Sequence, residues 1–249
     1  MVIARIRDVI RNLGAYFLMV YYSFSGIKVL RRQEIFRQLE FFAISSLFIV
    51  ALAASFTGMV TSIQSAYQIR GLLPLDLLGA GVGKMITIEL GPVLTALILA
   101  GRAGAAMASE LATMKVTEQL DAMEVMGIDP YKYMVFPRIL SGTFVTPLLV
   151  VFANFMAILS SSLISRLMLG LDFSVFFRSF LDYFYVKDFT GGILKGIVFG
   201  FVITSISCFM GLNSREGARG VGVSTMRAVI YSSVFVLLFD YVIGSILYG

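Results

Sequence analysis

The chain has 249 residues, 58% of them apolar and 14% charged, with a net charge of +5 and a mean hydropathy of +0.90. No single soluble core of this length buries so much apolar surface, so a water-soluble globular fold is excluded and an all-α polytopic membrane protein is expected. The lack of histidine and the single cysteine, Cys208, exclude a disulfide framework, a Cys/His metal site and histidine acid–base chemistry.

At the N-terminus, Ile3, Ile6, Ile10, Leu13 and Phe17 fall on one helical stripe, with Arg5, Arg7, Asp8 and Arg11 off it. This pattern predicts a helix lying in the cytoplasmic membrane interface, its arginines among anionic headgroups. A signal peptide is the rival reading, but no A-x-A site follows residues 14–22. Lys28 to Glu40 reads as a second amphipathic surface element, so residues 1–40 are taken as interfacial helices.

Apolar runs long enough to cross about 30 Å of hydrocarbon as helix fall at 41–65, 85–111, 139–165, 190–212 and 227–248. They make five spans in a single domain covering 1–249. The glycine-rich stretch 68–84 with Pro74 is expected as an irregular outer loop. Within it GAGVGKM at 79–85 resembles a phosphate-binding loop, but Leu78 replaces the first glycine and Met85 the magnesium-binding Ser/Thr. The chain is therefore expected to hydrolyse no ATP of its own and to need no cofactor.

The second span carries unusual polarity. Glu89 is a carboxylate beside an apolar run, which costs about 2.5–3.5 kcal/mol at mid-span. Pro92 suits a first helical residue and is expected to start the regular helix, leaving Glu89 just before it in the outer half of the bilayer. Lys195, about six residues into span four and so roughly 9 Å below its outer end, sits at similar depth. Two readings stay open: a polar patch that binds an anionic headgroup at Lys195 while Glu89 gates or positions it, or a structural role, as an ion pair that ties two helices or a lysine that snorkels to water. Arg102 lies among Gly101 and Gly104, a small-residue setting that suits structural packing. Glu110, at the inner end, is expected to cap or pair.

Residues 115–127, KVTEQLDAMEVMG, predict a short amphipathic cytoplasmic helix, with Thr117 as its cap, Glu118 in the first turn and Gly127 at its end. Leu120 and Met123 share one stripe while Thr117, Asp121 and Glu124 share another. Its acids would meet anionic headgroups unfavourably, so the helix is read as a docking knob. Lys115, Thr117, Glu118, Leu120, Asp121, Met123, Glu124 and Met126 are the candidate contacts. Further on, 170–188 interleaves Phe and Tyr with charges and predicts an outer interfacial segment. Span four repeats Gly192, Gly196 and Gly200 on one face, for packing within the chain or at a dimer seam. Residues 213–222 form a basic, glycine-rich inner turn. Counting Lys and Arg in alternate segments gives 13 against five, which places the N-terminus in the cytoplasm and the C-terminus outside.

The run ELGPVLTALILAGRAGAAMASEL, followed by MKVTEQLDAMEVMGIDP and FPRIL, resembles the central signature of the MlaE (YrbE-type) permeases, membrane subunits of ABC transporters that move lipids. The five-span layout extends the resemblance over nearly the whole chain. The resemblance implies a homodimer in the inner membrane, two cytoplasmic ABC ATPase subunits gripping 115–127, and an MCE-domain protein on the outer face. ATP and magnesium would be used by the partner. It also implies that Glu89 and Lys195 face a lipid cavity at the dimer centre. Ile88 departs from relatives that carry arginine beside the acid, leaving Lys84 as another source of positive charge. The expected function is a permease subunit for phospholipid or a related amphiphile. An ion-coupled secondary carrier using Glu89 and Lys195 needs no ATPase, and a non-transporting assembly scaffold would tolerate changes in the cavity.

Overall fold

The computed structural model describes residues 2–25, 32–215 and 217–249. Among them every regular element is helical. Helix α1 (Val2–Phe24) precedes a long α2 (Arg32–Ile69). A composite second span, Leu75–Val116, follows. It comprises a 3₁₀ turn, α3 (Leu78–Met85), a π-helical segment (Ile86–Leu90), α4 (Gly91–Leu99), a second π segment (Ala100–Gly104) and α5 (Ala105–Val116). The short α6 (Gln119–Val125) leads through a π segment (Tyr131–Val135) into α7 (Phe136–Leu169). Last come α8 (Phe173–Asp182), α9 (Val186–Leu212) and α10 (Gly217–Tyr248). Five helical stretches are long and apolar enough to span a membrane, as the apolar runs predicted.

Several boundaries differ from expectation. The 68–84 stretch is not an irregular loop: from Leu75 onward it is helical and extends span two, leaving a turn only around Gly71. Gly79 and Gly83 explain why a glycine-rich segment is helical here. A Cβ at Gly79 would strike the Phe176 backbone and one at Gly83 the Phe180 ring, so these glycines let α3 lie flush against α8. The second amphipathic element begins in residues outside those described. From Arg32 it forms the first turns of α2 and leads without a break into span one.

The spans pack through small and hydroxylated residues. Between α2 and α7, Gly58 lies against the Ala157 carbonyl with no room for a side chain. Ser161 Oγ donates to Gly58 O at 2.8 Å, Ser160 Oγ to Ser55 O at 2.9 Å, and Ser62 and Ser165 hydroxyls meet at 2.6 Å. Each such interhelical bond contributes about 0.6 kcal/mol in a membrane. The central core joins Phe42 of α2, Leu99 and Met107 of span two, Leu149 of α7, Phe199 and Ile203 of α9 and Val236 of α10. Large apolar side chains instead point outward, among them Phe48, Leu148, Tyr241 and Ile246. That inversion suits a hydrocarbon solvent and would be untenable in water.

Helix α1 docks beside the α6 end of the bundle. Tyr16 shares a hydrogen bond with Ser205 at 2.8 Å and stacks edge-on against Phe209, while Met19 is buried. Of the predicted apolar stripe, Ile10, Leu13 and Phe17 face away from the protein, as an interfacial helix would hold them.

Candidate functional site

Lys195 has no accessible surface. Three oxygens surround its Nζ: Glu89 Oε2 at 2.6 Å, Asp240 Oδ1 at 2.7 Å and the Ile88 carbonyl at 3.0 Å. The Ile88 contact follows from the sequence of span two. Pro92 has no N–H to give to the carbonyl four residues earlier, which is that of Ile88. The helix meets this with the π segment Ile86–Leu90, a form that recurs at functional sites, and the lysine supplies a donor to the freed oxygen. Pro92 stands in the first turn of α4, where regular α-helix resumes, but the stretch before it is π-helical rather than irregular. Glu89 lies within a continuous helical path, on its π turn.

Glu89 and Lys195, whose direct pairing the sequence left open, form an ion pair. Asp240, which completes the triad, was not among the sequence candidates, although a lone acid within the fifth apolar run is the signal that marks it. Burial is uneven: the Glu89 side chain is 49% exposed, that of Asp240 only 11%. The lysine also lies deeper than expected. Because α9 starts at Val186, Lys195 is about 14 Å from its beginning, and Asp240 is about 12 Å from the end of α10. Direct headgroup contact by Lys195 is not what this arrangement offers. The ammonium is fully buried, hydrogen-bonded to Glu89 and to the Ile88 carbonyl and in ion-pair contact with Asp240. Glu89 is the accessible member.

The glycines of span four pack within the chain. A Cβ at Gly192 would lie 2.9 Å from Thr87 O, one at Gly196 2.8 Å from Pro147 Cα, and one at Gly200 would overlap the Gly142 carbonyl. These contacts bring α9 close enough to span two and α7 for Lys195 to reach Ile88. Gly104 is likewise close to Ser207 and Ile203, but Gly101 is exposed and meets no described atom within 4 Å, so it packs against nothing here. Arg102, on the second π segment, donates to Ser46 Oγ at 2.6 Å and stacks over Phe41. Glu110 pairs with Arg138 Nη2 at 2.8 Å. Arg138, of the FPRIL run, is fully buried and also donates to Met134 O.

The predicted helix 115–127 is shorter than expected. Helix α5 runs to Val116, the chain turns at Glu118 with φ +58°, and α6 covers Gln119–Val125. Thr117 does not cap α6. Its hydroxyl donates back to Thr113 O at 2.9 Å, closing α5 instead. Lys115 bonds Asp121 at 2.7 Å, which braces the turn. Leu120 is buried, and Met123 is half-buried against the cluster of Leu111, Met134 and Ile139, so burial of Leu120 anchors α6. Asp121, Glu124, Val125 and Met126 are exposed, Val125 at 90%.

On the opposite half of the bundle a groove of about 400 Å³ runs between α2 and the first π segment, with Phe56, Val60, Gln64, Gln68, Met85 and Leu90 among its walls. It mixes amide and hydroxyl groups with apolar surface one residue from Glu89.

Comparison with known proteins agrees with this architecture. The family model described as Permease MlaE matches residues 35–246. A Rickettsia typhi protein named "Probable ABC transporter permease protein" is 36% identical over 96% of this chain and 93% of its own length. A Synechocystis protein with the same designation is 32% identical over 88% of this chain and 83% of its own. The chloroplast protein TRIGALACTOSYLDIACYLGLYCEROL 1 of Arabidopsis thaliana is 34% identical over 84% of this chain and 60% of its own. With five apolar spans, a buried lysine held between two of them and a family match over nearly the whole length, the chain belongs to the MlaE permease family of ABC transporters.

Proposed function

We propose that this permease moves phospholipid or a related amphiphile across or out of the inner membrane as a homodimer, driven by two ATPase subunits docked on α6, with an MCE-domain protein on the far side. The observation that carries this reading is the polar site of Glu89, Lys195 and Asp240 about midway through a largely apolar bundle. Charges at that depth cost several kcal/mol each and are kept where a polar part of a substrate must pass. Ion-coupled carriage would also use such a triad, and the ATPase dependence separates the two. The lipid-linked name of the Arabidopsis relative adds support for the substrate class.

Docking is assigned to the exposed tip of α6, with Val125 and Met126 as its apolar centre and Asp121 and Glu124 beside them. The test is co-purification from membranes. Val125→Asp combined with Met126→Asp should release the ATPase while the permease remains inserted and monodisperse. Leu120 is unsuited to this test because it is buried. An ATPase that stays bound to the double variant, or transport in vesicles driven by a pH gradient without ATP, would overturn the scheme.

A further inference from the structure

The triad is not balanced in charge. Two carboxylates, Glu89 and Asp240, share one ammonium, and that ammonium is sealed from every approach while Glu89 is half-exposed. A third acid, Asp188, stands about 10 Å away in the first turn of α9, outside the triad. Asp188 is 5% exposed, and its Oδ2 has no hydrogen-bond partner among the described residues. It lies seven residues before Lys195, two turns away on the same face of α9. The nearby lysines at that end are turned to aromatic rings: Lys84 Nζ lies 4.5 Å from the Tyr185 centroid and Lys187 Nζ 5.4 Å from that of Tyr248. An uncompensated carboxylate deep in a low-dielectric bundle calls for a cation. The side chain open to receive it is Glu89.

We propose that the site selects amphiphiles whose headgroup carries an ammonium group, with Glu89 as the acceptor that meets it and Lys195 as an internal counter-ion that never touches substrate. Asp240 is the positioning residue. By holding Nζ from the α10 side it keeps the lysine from reaching outward to a phosphate. This rests on the reading that the chain binds lipid, and reverses the polarity that a lone lysine in span four suggests.

The test uses the full-length chain in detergent micelles with an equimolar pair of lipids having identical dioleoyl tails, phosphatidylethanolamine and phosphatidylglycerol, read by native mass spectrometry. Ethanolamine lipid should be retained in roughly twofold to fivefold excess, the range of an ion pair with a half-exposed carboxylate. Glu89→Gln should bring the ratio to about one, whereas Glu89→Asp, which keeps the charge, should preserve the preference. Unfolding temperatures of both variants report that the fold is intact. Equal retention of the two lipids by the unaltered chain, as when the carboxylates share a proton and the site is neutral, overturns this inference and leaves the proposed function standing. Preference for the glycerol lipid, or a preference that survives Glu89→Gln, also overturns it. A folded chain that retains neither lipid overturns both this inference and the lipid reading.

Discussion

At the scale of single residues, the cost of a charge is set by what else must be left behind when it is removed. Lys195→Met strands Asp240, which is almost wholly buried, beside Glu89. The expected loss is about 3 kcal/mol, the low end for breaking a buried ion pair because Glu89 keeps some contact with its surroundings. Glu89→Gln leaves the lysine with Asp240 and the Ile88 carbonyl and should cost roughly 1 kcal/mol. Thermal unfolding in detergent ranks the two, and equal losses would show that the triad does not act as described. A second ion pair gives an independent check. Glu110→Gln leaves the buried Arg138 guanidinium with the Met134 carbonyl and should cost about 1–3 kcal/mol. Adding Arg138→Met should recover part of that loss in a double-mutant cycle. Glu89, Lys195 and Glu110 were legible because charges in apolar runs are conspicuous. The partnership with Asp240 was not, since no local pattern says which of four neighbouring spans an acid will face.

At the scale of elements, close approach of backbones decides where each helix sits. Gly58→Ala would push a methyl group into the Ala157 carbonyl and should cost about 1–3 kcal/mol through displacement of α2 from α7. Gly101→Ala meets no neighbour and should be neutral or raise stability by up to about 1 kcal/mol through helix propensity. Loss of monodisperse protein on size-exclusion chromatography after heating would report the contrast, and similar behaviour of both variants would refute it. Glycine spacing alone singled out Gly101 and Gly104 together, yet only Gly104 faces a neighbouring helix. The π segments have the same lesson. Pro92 marks a break in α-helical bonding, but whether the chain stops, kinks or widens by a residue depends on a donor from another span, here Lys195. In α6, spacing grouped Leu120 with Met123 on one stripe, and the structure turns that stripe inward, with Leu120 buried and Met123 packed on the cluster of Leu111 and Ile139.

At the scale of the whole molecule, the five spans place α6 and α8 at opposite ends of the bundle, and the excess of lysine and arginine on the α6 side is the ground for proposing that this end faces the cytoplasm. In a Cys208→Ala background, which removes a fully buried thiol, Met126→Cys should react with a membrane-impermeant maleimide only after the membrane is opened. Tyr183→Cys, just beyond α8, should react in intact spheroplasts. The reverse pattern would invert the orientation and with it the side on which an ATPase could dock.

Composition and run length by themselves determined that this chain is a helical bundle with five membrane spans, because the bilayer imposes a length and a polarity that each segment meets alone. Local chemistry likewise marked the polar positions of span two and the small residues of span four. Only the tertiary structure decided that Lys195 is enclosed by Glu89, Asp240 and a proline-freed carbonyl, that Leu120 is an anchor, and that Arg138 neutralises Glu110. Those outcomes depend on side chains from helices far apart in the chain meeting at one depth, and the geometry of that meeting is set by how backbones pack rather than by any segment's own sequence.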